Sequence, residues 1–231
     1  EEVYKVNPNI VLVLNNGRPL AIPWAAENVP AILEGWQLGT QSGNAIAEVL
    51  YGDYNPSGKL PMTFPRSVGQ LPLYYNFKST GRPVMEDVDS VFWSHYIDET
   101  NAPLYPFGFG LSYSKFEYSN LELSSSSFSP NGKIVVSVTI KNVGKVAGKE
   151  VVQMYIRDII GSTTRPLKEL KGFELIELQP NESKKVDFVI DENLIQFFTA
   201  NRKWEAEAGD FNVFIGGSSN TVLKADFIFN K

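Results

Sequence analysis

The apolar residues of this chain change their period near its middle, and that change limits the fold more than any other feature. From Tyr118 onward apolar and polar side chains alternate. Ile134, Val136, Val138 and Ile140 form one such set, and Val152, Met154 and Ile156 another. Val186, Phe188 and Ile190 follow, then Phe211, Val213 and Ile215, then Ala225, Phe227 and Phe229. Turn formers separate them at Pro130-Asn131-Gly132, Asn142-Val143-Gly144, Pro180-Asn181, Gly209-Asp210 and Gly216-Gly217. A period of two sends alternate side chains to opposite faces, so residues 118–231 are predicted to form an antiparallel β-sandwich.

The preceding residues follow a different pattern. Asn9-Ile10-Val11-Leu12-Val13-Leu14 is a continuous apolar run closed by Asn15-Asn16-Gly17. It fits a strand buried on both faces, as in a parallel sheet covered by helices. A helical stretch is predicted over residues 25–51, interrupted near 35–43. It stops at Gly52-Asp53-Tyr54-Asn55-Pro56-Ser57-Gly58, which is dense in turn formers. The prolines of Leu60-Pro61-Met62-Thr63-Phe64-Pro65 suit an extended edge. So few elements cannot close a sheet, and residues 1–75 read as the C-terminal portion of an α/β domain. Its first strand would then present an open edge that invites self-association, unless the N-terminal residues cover it. Residues 76–117 read as an irregular, aromatic-rich linker. The expected class is an α+β composite: a truncated α/β sandwich piece followed by an all-β sandwich of the immunoglobulin or fibronectin type III kind. With no cysteine in the chain, the fibronectin variety is favoured.

Composition removes several functions. The net charge is −5, and residues 1–118 carry all of it, with 7 basic against 12 acidic side chains. A nucleic-acid partner calls for a basic face instead. The lack of cysteine excludes disulfides, thiolate zinc sites and thiol catalysis. No apolar run reaches the roughly 18 residues of a membrane span. The opening Glu1-Glu2-Val3-Tyr4-Lys5 is unlike a signal peptide.

The search for chemistry is mostly negative. Gly52 to Lys59 has one residue too many between its glycines for a P-loop, and Leu60 stands where magnesium chemistry needs Ser or Thr. There is one histidine, His95, and no Gly-x-Ser-x-Gly elbow. Neither a metal nor a cofactor is expected. Glu34, Glu48, Asp87, Asp89, Asp98 and Glu99 are the carboxylates nearest candidate elements, but no feature pairs them. Gly35, Gly39 and Gly43 fit close packing of a helix against a neighbour. The sequon Asn181-Glu182-Ser183 carries little weight alone. Tyr74, Tyr75, Phe77, Phe92, Trp93, Tyr96, Tyr105, Phe107 and Phe109 cluster in the connecting region. They could stack on sugar rings or join the two parts of the chain.

Several motifs also resemble a known family. Asn15-Asn16-Gly17-Arg18-Pro19-Leu20, Ala31-Ile32-Leu33-Glu34-Gly35-Trp36 and the run from Gly43 to Pro61 resemble the C-terminal α/β domain of family 3 glycoside hydrolases, mainly β-glucosidases and β-xylosidases. Tyr105-Pro106-Phe107-Gly108-Phe109-Gly110-Leu111-Ser112-Tyr113 is similar to their lead-in to a fibronectin type III-like domain. Asn142-Val143-Gly144, residues 148–155, residues 165–173 and Ile215-Gly216-Gly217-Ser218-Ser219 fit that domain. One departure is Trp36-Gln37-Leu38-Gly39, where many relatives have Tyr-Pro-Gly.

The resemblance implies a parent that hydrolyses terminal non-reducing β-D-glucosyl or xylosyl residues of a β-glucoside or oligosaccharide, with retention. In such enzymes a barrel domain supplies an aspartate nucleophile, and a glutamate acid/base precedes the strand at residues 9–14. The resemblance therefore assigns no catalytic residue to this chain, which it casts as support. Trp93, His95 and Tyr96 are the residues expected to approach a sugar. Periplasmic or secreted location is implied by the family alone. The alternatives are a carbohydrate- or surface-binding module, which exposed aromatics on the sandwich would favour, and a structural spacer.

Overall fold

The computed structural model describes residues 1–79, 81–82, 92–221 and 223–231, so Asp87 and Asp89 lie outside the described residues. A short helix, α1 (Glu2–Val6), precedes β1 (Val11–Leu14), α2 (Pro23–Asn28), β2 (Ala31–Glu34) and α3 (Ser42–Tyr51). The two strands pair in parallel, Val11 opposite Ala31 and Leu14 opposite Glu34.

Two expectations are corrected here. Residues 25–51 are not one interrupted helix, because β2 divides them. Pro30 lacks an N–H and disfavours helical geometry in the residue before it, and Val29 is accordingly extended at φ −83°, ψ 123°. The four apolar-rich residues that follow then pair with β1. The second correction concerns β1, which is half-buried rather than enclosed on both faces. Among the described residues its sheet has only two strands. Helix α3 ends as expected, at Gly52 in the left-handed conformation, φ +84°. Of the spaced glycines, only Gly35 meets a neighbour, with a Cβ there falling 3.1 Å from the Leu14 carbonyl. Gly39 and Gly43 face open space, so close helix packing does not explain them.

The second half is a sandwich. Its strands are β3 (Phe116–Leu123), β4 (Ser127–Phe128), β5 (Lys133–Asn142), β6 (Gly148–Asp158), β7 (Glu169–Leu178), β8 (Ser183–Asp191), β11 (Gly209–Gly216) and β12 (Lys224–Phe229). One sheet runs β4-β12-β11-β6-β7 and the other β3-β5-β8. The pair β9 (Phe197–Phe198) and β10 (Trp204–Glu205) stands beside them as a separate two-stranded sheet. The alternating residues face inward: Ile134, Val138 and Ile140 meet Val152, Met154, Val213 and Ile215 in one core. Phe211 and Phe227 stack inside it at 5.1 Å, with Phe128 against Phe227 and Phe229. Asn181 takes a left-handed φ of 64° beside the tight turn between β7 and β8, which is a structural reason for an asparagine in that sequon.

Asp158, at the end of β6, is buried, and its pKa is raised chiefly by that burial; Glu207 and Glu169 push the same way, while Arg165 and a backbone N–H oppose them. The folded state therefore holds this proton more tightly than the unfolded chain does. Stability falls as pH rises from the ordinary carboxylate range through the raised value. We expect Asp158→Asn to gain stability relative to the parent chain across that window. Urea unfolding at stepped pH checks this: a constant difference between the two proteins would show that Asp158 does not titrate abnormally.

Candidate functional site

Segments around Tyr75 and Gly108 lie against Tyr155 and Gln153 on the outer face of the five-stranded sheet, and this junction borders a large cleft. Leu60 N donates to Phe109 O at 2.8 Å, and Phe64 N donates to Tyr105 O at 2.9 Å. Residues 60–65 are not the continuous extended edge expected: the chain bends at Pro61 and Met62, and only Phe64 forms a β-bridge, to Tyr105. Tyr75 and Phe107 stack at 4.1 Å and Tyr105 and Phe109 at 5.2 Å, while Trp36 meets Phe64 edge-on. Four of the linker aromatics therefore serve packing.

Polar side chains fix the same junction. Gln153 is buried on β6; its amide donates to Gly108 O at 3.1 Å and Gly217 O at 2.7 Å and accepts from the Tyr155 hydroxyl. Gly108 is left-handed at φ +78°, and a Cβ there would collide with the Gln153 amide. Asn55 donates to Ala147 O at 2.8 Å and accepts from Ser112 Oγ and Tyr113 N. Lys59 reaches Glu150 Oε2 at 3.0 Å and the Gly110 carbonyl at 2.9 Å. Tyr118 donates its hydroxyl to Glu150 Oε1 at 2.7 Å. Burial, with the Glu150 charge beside it, raises the pKa of Tyr118 and keeps it a neutral donor. The segment from Gly52 to Lys59 is therefore a helix stop and an ion-pair anchor, as expected of a structural turn.

The cleft has a volume of about 810 Å³ and is lined by Tyr74, Phe77, His95, Tyr96, Lys168 and Asn220 among others. The loop bearing His95 and Tyr96 is held by Gln70, whose amide donates to Thr100 O at 2.8 Å and whose carbonyl accepts from the Tyr96 hydroxyl at 3.2 Å. His95 Nδ1 lies 2.9 Å from the carbonyl of Trp93. Trp93 is half-buried and does not line the cleft. Lys168 enters from the sandwich, bonded to the carbonyls of Ser219 and Thr221 and placed over the Phe214 ring at 4.5 Å. Burial lowers its pKa.

None of the described lining residues is an aspartate or glutamate. Glu34 lies on β2, not on a helix, and accepts from Trp36 N at 2.8 Å. Glu48 is exposed on α3, Asp98 is exposed on the loop, and Glu99 caps Thr100 N. The described candidate carboxylates do not come together in the cleft. Among the described residues no three His, Asp or Glu side chains converge as metal ligands. No helix among them is long and apolar enough to cross a membrane.

Comparison with known proteins agrees with this architecture. Residues 1–113 match the glycosyl hydrolase family 3 C-terminal domain, and residues 150–219 match the fibronectin type III-like domain. A periplasmic beta-glucosidase of Salmonella typhimurium is 52% identical over 94% of this chain, which covers 28% of that protein. A putative beta-xylosidase of Formosa agariphila is 43% identical over 100% of the chain, which covers 29% of it. The crystal structure of a Listeria innocua beta-glucosidase in complex with glucose superposes with a TM-score of 0.94 at 41% identity, covering 99% of this chain and 32% of that one. The chain thus spans less than a third of the relatives it matches. It belongs to glycoside hydrolase family 3, within which it corresponds to the C-terminal domain and the fibronectin type III-like domain.

Proposed function

We propose that the full-length protein is a retaining β-glycosidase that removes terminal non-reducing β-D-glucosyl or xylosyl units, and that this chain braces its fold. The relatives' names support the reaction. The observation that carries the bracing role is the cleft of about 810 Å³, which has no carboxylate among its described lining residues. Retaining hydrolysis needs two carboxyl groups about 5–5.5 Å apart, one as nucleophile and one as acid/base. Both would come from outside residues 1–231. Following one aryl β-glucoside turnover by proton NMR tests the reaction: the β-anomer of glucose should appear first, and initial release of the α-anomer would overturn it.

Within that reading the organisation is 1–75 as the α/β portion, 76–117 as linker and 118–231 as the sandwich. The absence of helices and strands among the described residues from 71 to 115 supports it. The loop at 93–98 approaches the bound glycoside, with His95 and Tyr96 in the cleft wall and Trp93 outside it. We expect His95→Ala and Trp93→Ala in the full-length enzyme to lower kcat/KM on an aryl β-glucoside about tenfold, equivalent to about 1.4 kcal/mol; unchanged kinetics in both would remove the loop from the sugar site. The Salmonella relative's name supports a periplasmic or secreted setting. The unpaired side of β1 is where copies of the chain would associate.

A further inference from the structure

The hairpin beside the sandwich presents a feature that bracing does not require. Strand β9 pairs antiparallel with β10, Phe198 opposite Trp204 and Phe197 opposite Glu205. Directly opposed residues share a face of the ladder, and their neighbours turn to the other. Phe197 is accordingly buried, with the Arg165 guanidinium over its ring at 4.1 Å. Phe198 and Trp204 point outward, 53% and 69% exposed, with ring centroids 6.2 Å apart and planes inclined at 60°. They form one wall of a shallow cleft of about 290 Å³, whose other residues include Thr163, Thr164, Gln196 and Lys171.

The wall is built rather than loosely displayed. Thr199 is buried at the hairpin turn, where its N–H donates to Lys203 O at 2.9 Å and its hydroxyl reaches Lys203 O and Glu205 Oε1. Arg165, under the cleft, is held by Glu169 at 2.6 Å and Asp158 at 3.5 Å, and Lys171 lies 3.9 Å from Glu169. Arg165 and Lys171 are thus paired with Glu169 and Asp158, and Lys78 stands on the cleft wall as a further cation.

We propose that this cleft is a non-catalytic saccharide site, in which a pyranose of a neutral β-linked oligosaccharide stacks on Trp204 against Phe198. A pyranose has one apolar face of C–H bonds and a rim of hydroxyls. Trp204 supplies a broad π surface for the face. The Thr163 and Thr164 hydroxyls and the Gln196 amide can each donate and accept at the rim. The volume lies at the small end of ligand pockets, which fits one or two sugar rings better than a folded partner. The choice of a glucan or xylan as ligand rests on the glycosidase reading above; the cleft itself rests on the hairpin geometry.

The test uses the 231-residue chain, in which four tryptophan indoles can be followed by proton–nitrogen NMR. Millimolar cellotetraose or xylotetraose should shift the Trp204 indole, and Trp204→Ala should weaken binding at least about tenfold. Phe198→Ala should weaken it less. Both side chains are exposed, so both variants should unfold at the parent's urea midpoint. An unmoved Trp204 signal with both sugars, or equal binding by Trp204→Ala, would overturn the proposal. So would binding of polygalacturonate alone that is abolished by high salt. In the full-length protein Trp204→Ala should leave aryl β-glucoside turnover unchanged. Shifts at Trp204 in a protein inactive on every aryl glycoside would sustain the site while refuting the glycosidase reading.

Discussion

Replacing Lys59 with Met should remove about 3–5 kcal/mol of stability, the loss expected when a buried ion pair is left with one partner. The Lys59 and Glu150 side chains are only 12% and 6% exposed and 3.0 Å apart. Glu150 would keep the Tyr118 hydroxyl and lose its cation, while the Gly110 carbonyl would lose a donor. The pair joins the turn after α3 to β6, so the damage falls on the junction and not on the sandwich core. Removing the charge as well, in Lys59→Met with Glu150→Gln, should recover part of the loss, because the two positions share one interaction. Urea unfolding of the three variants measures this. A single-variant loss below about 1 kcal/mol would place the pair in the range of exposed salt bridges and deny it an anchoring role.

Phe227→Ala should cost a similar amount, about 3–5 kcal/mol, for a different reason. Phe227 is 1% exposed and touches two other rings, Phe211 at 5.1 Å and Phe128 at 6.1 Å. Its removal subtracts apolar burial and leaves a cavity that strands on both sides hold open. Phe173→Ala offers the contrast, since Phe173 is exposed on edge strand β7 and should cost well under 1 kcal/mol. Equal losses at the two positions would mean that the stacked phenylalanines are not the core of the sandwich.

The alternation that revealed β5 and β8 in the sequence follows from one apolar face in each, opposed in β8 by an exposed face and in β5 by a mixed, half-buried one. Strand β7 escaped it. There Ile176 and Leu178 point inward, but Phe173 and Leu175 are apolar on the outer side, and a register shift opposite Met154 and Tyr155 breaks the period. Strand β2 was hidden among helices because four apolar-rich residues fit either period; Pro30 was the signal that could have separated them. In β3, the bulge between Ser119 and Glu122, with Asn120 left-handed, interrupts the alternation.

The site was less legible than the fold. His95 and Tyr96 do line the cleft, as the clustering of aromatics suggested, whereas Trp93 does not. Gln70, Asn55 and Gln153 decide where that loop and the junction sit, yet each reads as an ordinary polar residue. Their partners lie 30, 92 and 45 positions away, so no local spacing reports them. Lys168 belongs to the same class: it reaches the cleft only because β7 lies beside the segment from Tyr75 to Lys78, where Leu170 N donates to the Tyr75 hydroxyl and Leu167 N to Phe77 O.

Turnover of an aryl β-glucoside by the purified 231-residue chain, beside the full-length protein, tests the division of labour most directly. No release above buffer from the chain, with steady release from the full-length protein, is the result expected of a brace. Release proportional to the chain's concentration, and lost in Glu48→Gln or Asp98→Asn, would place the chemistry within these residues and contradict it.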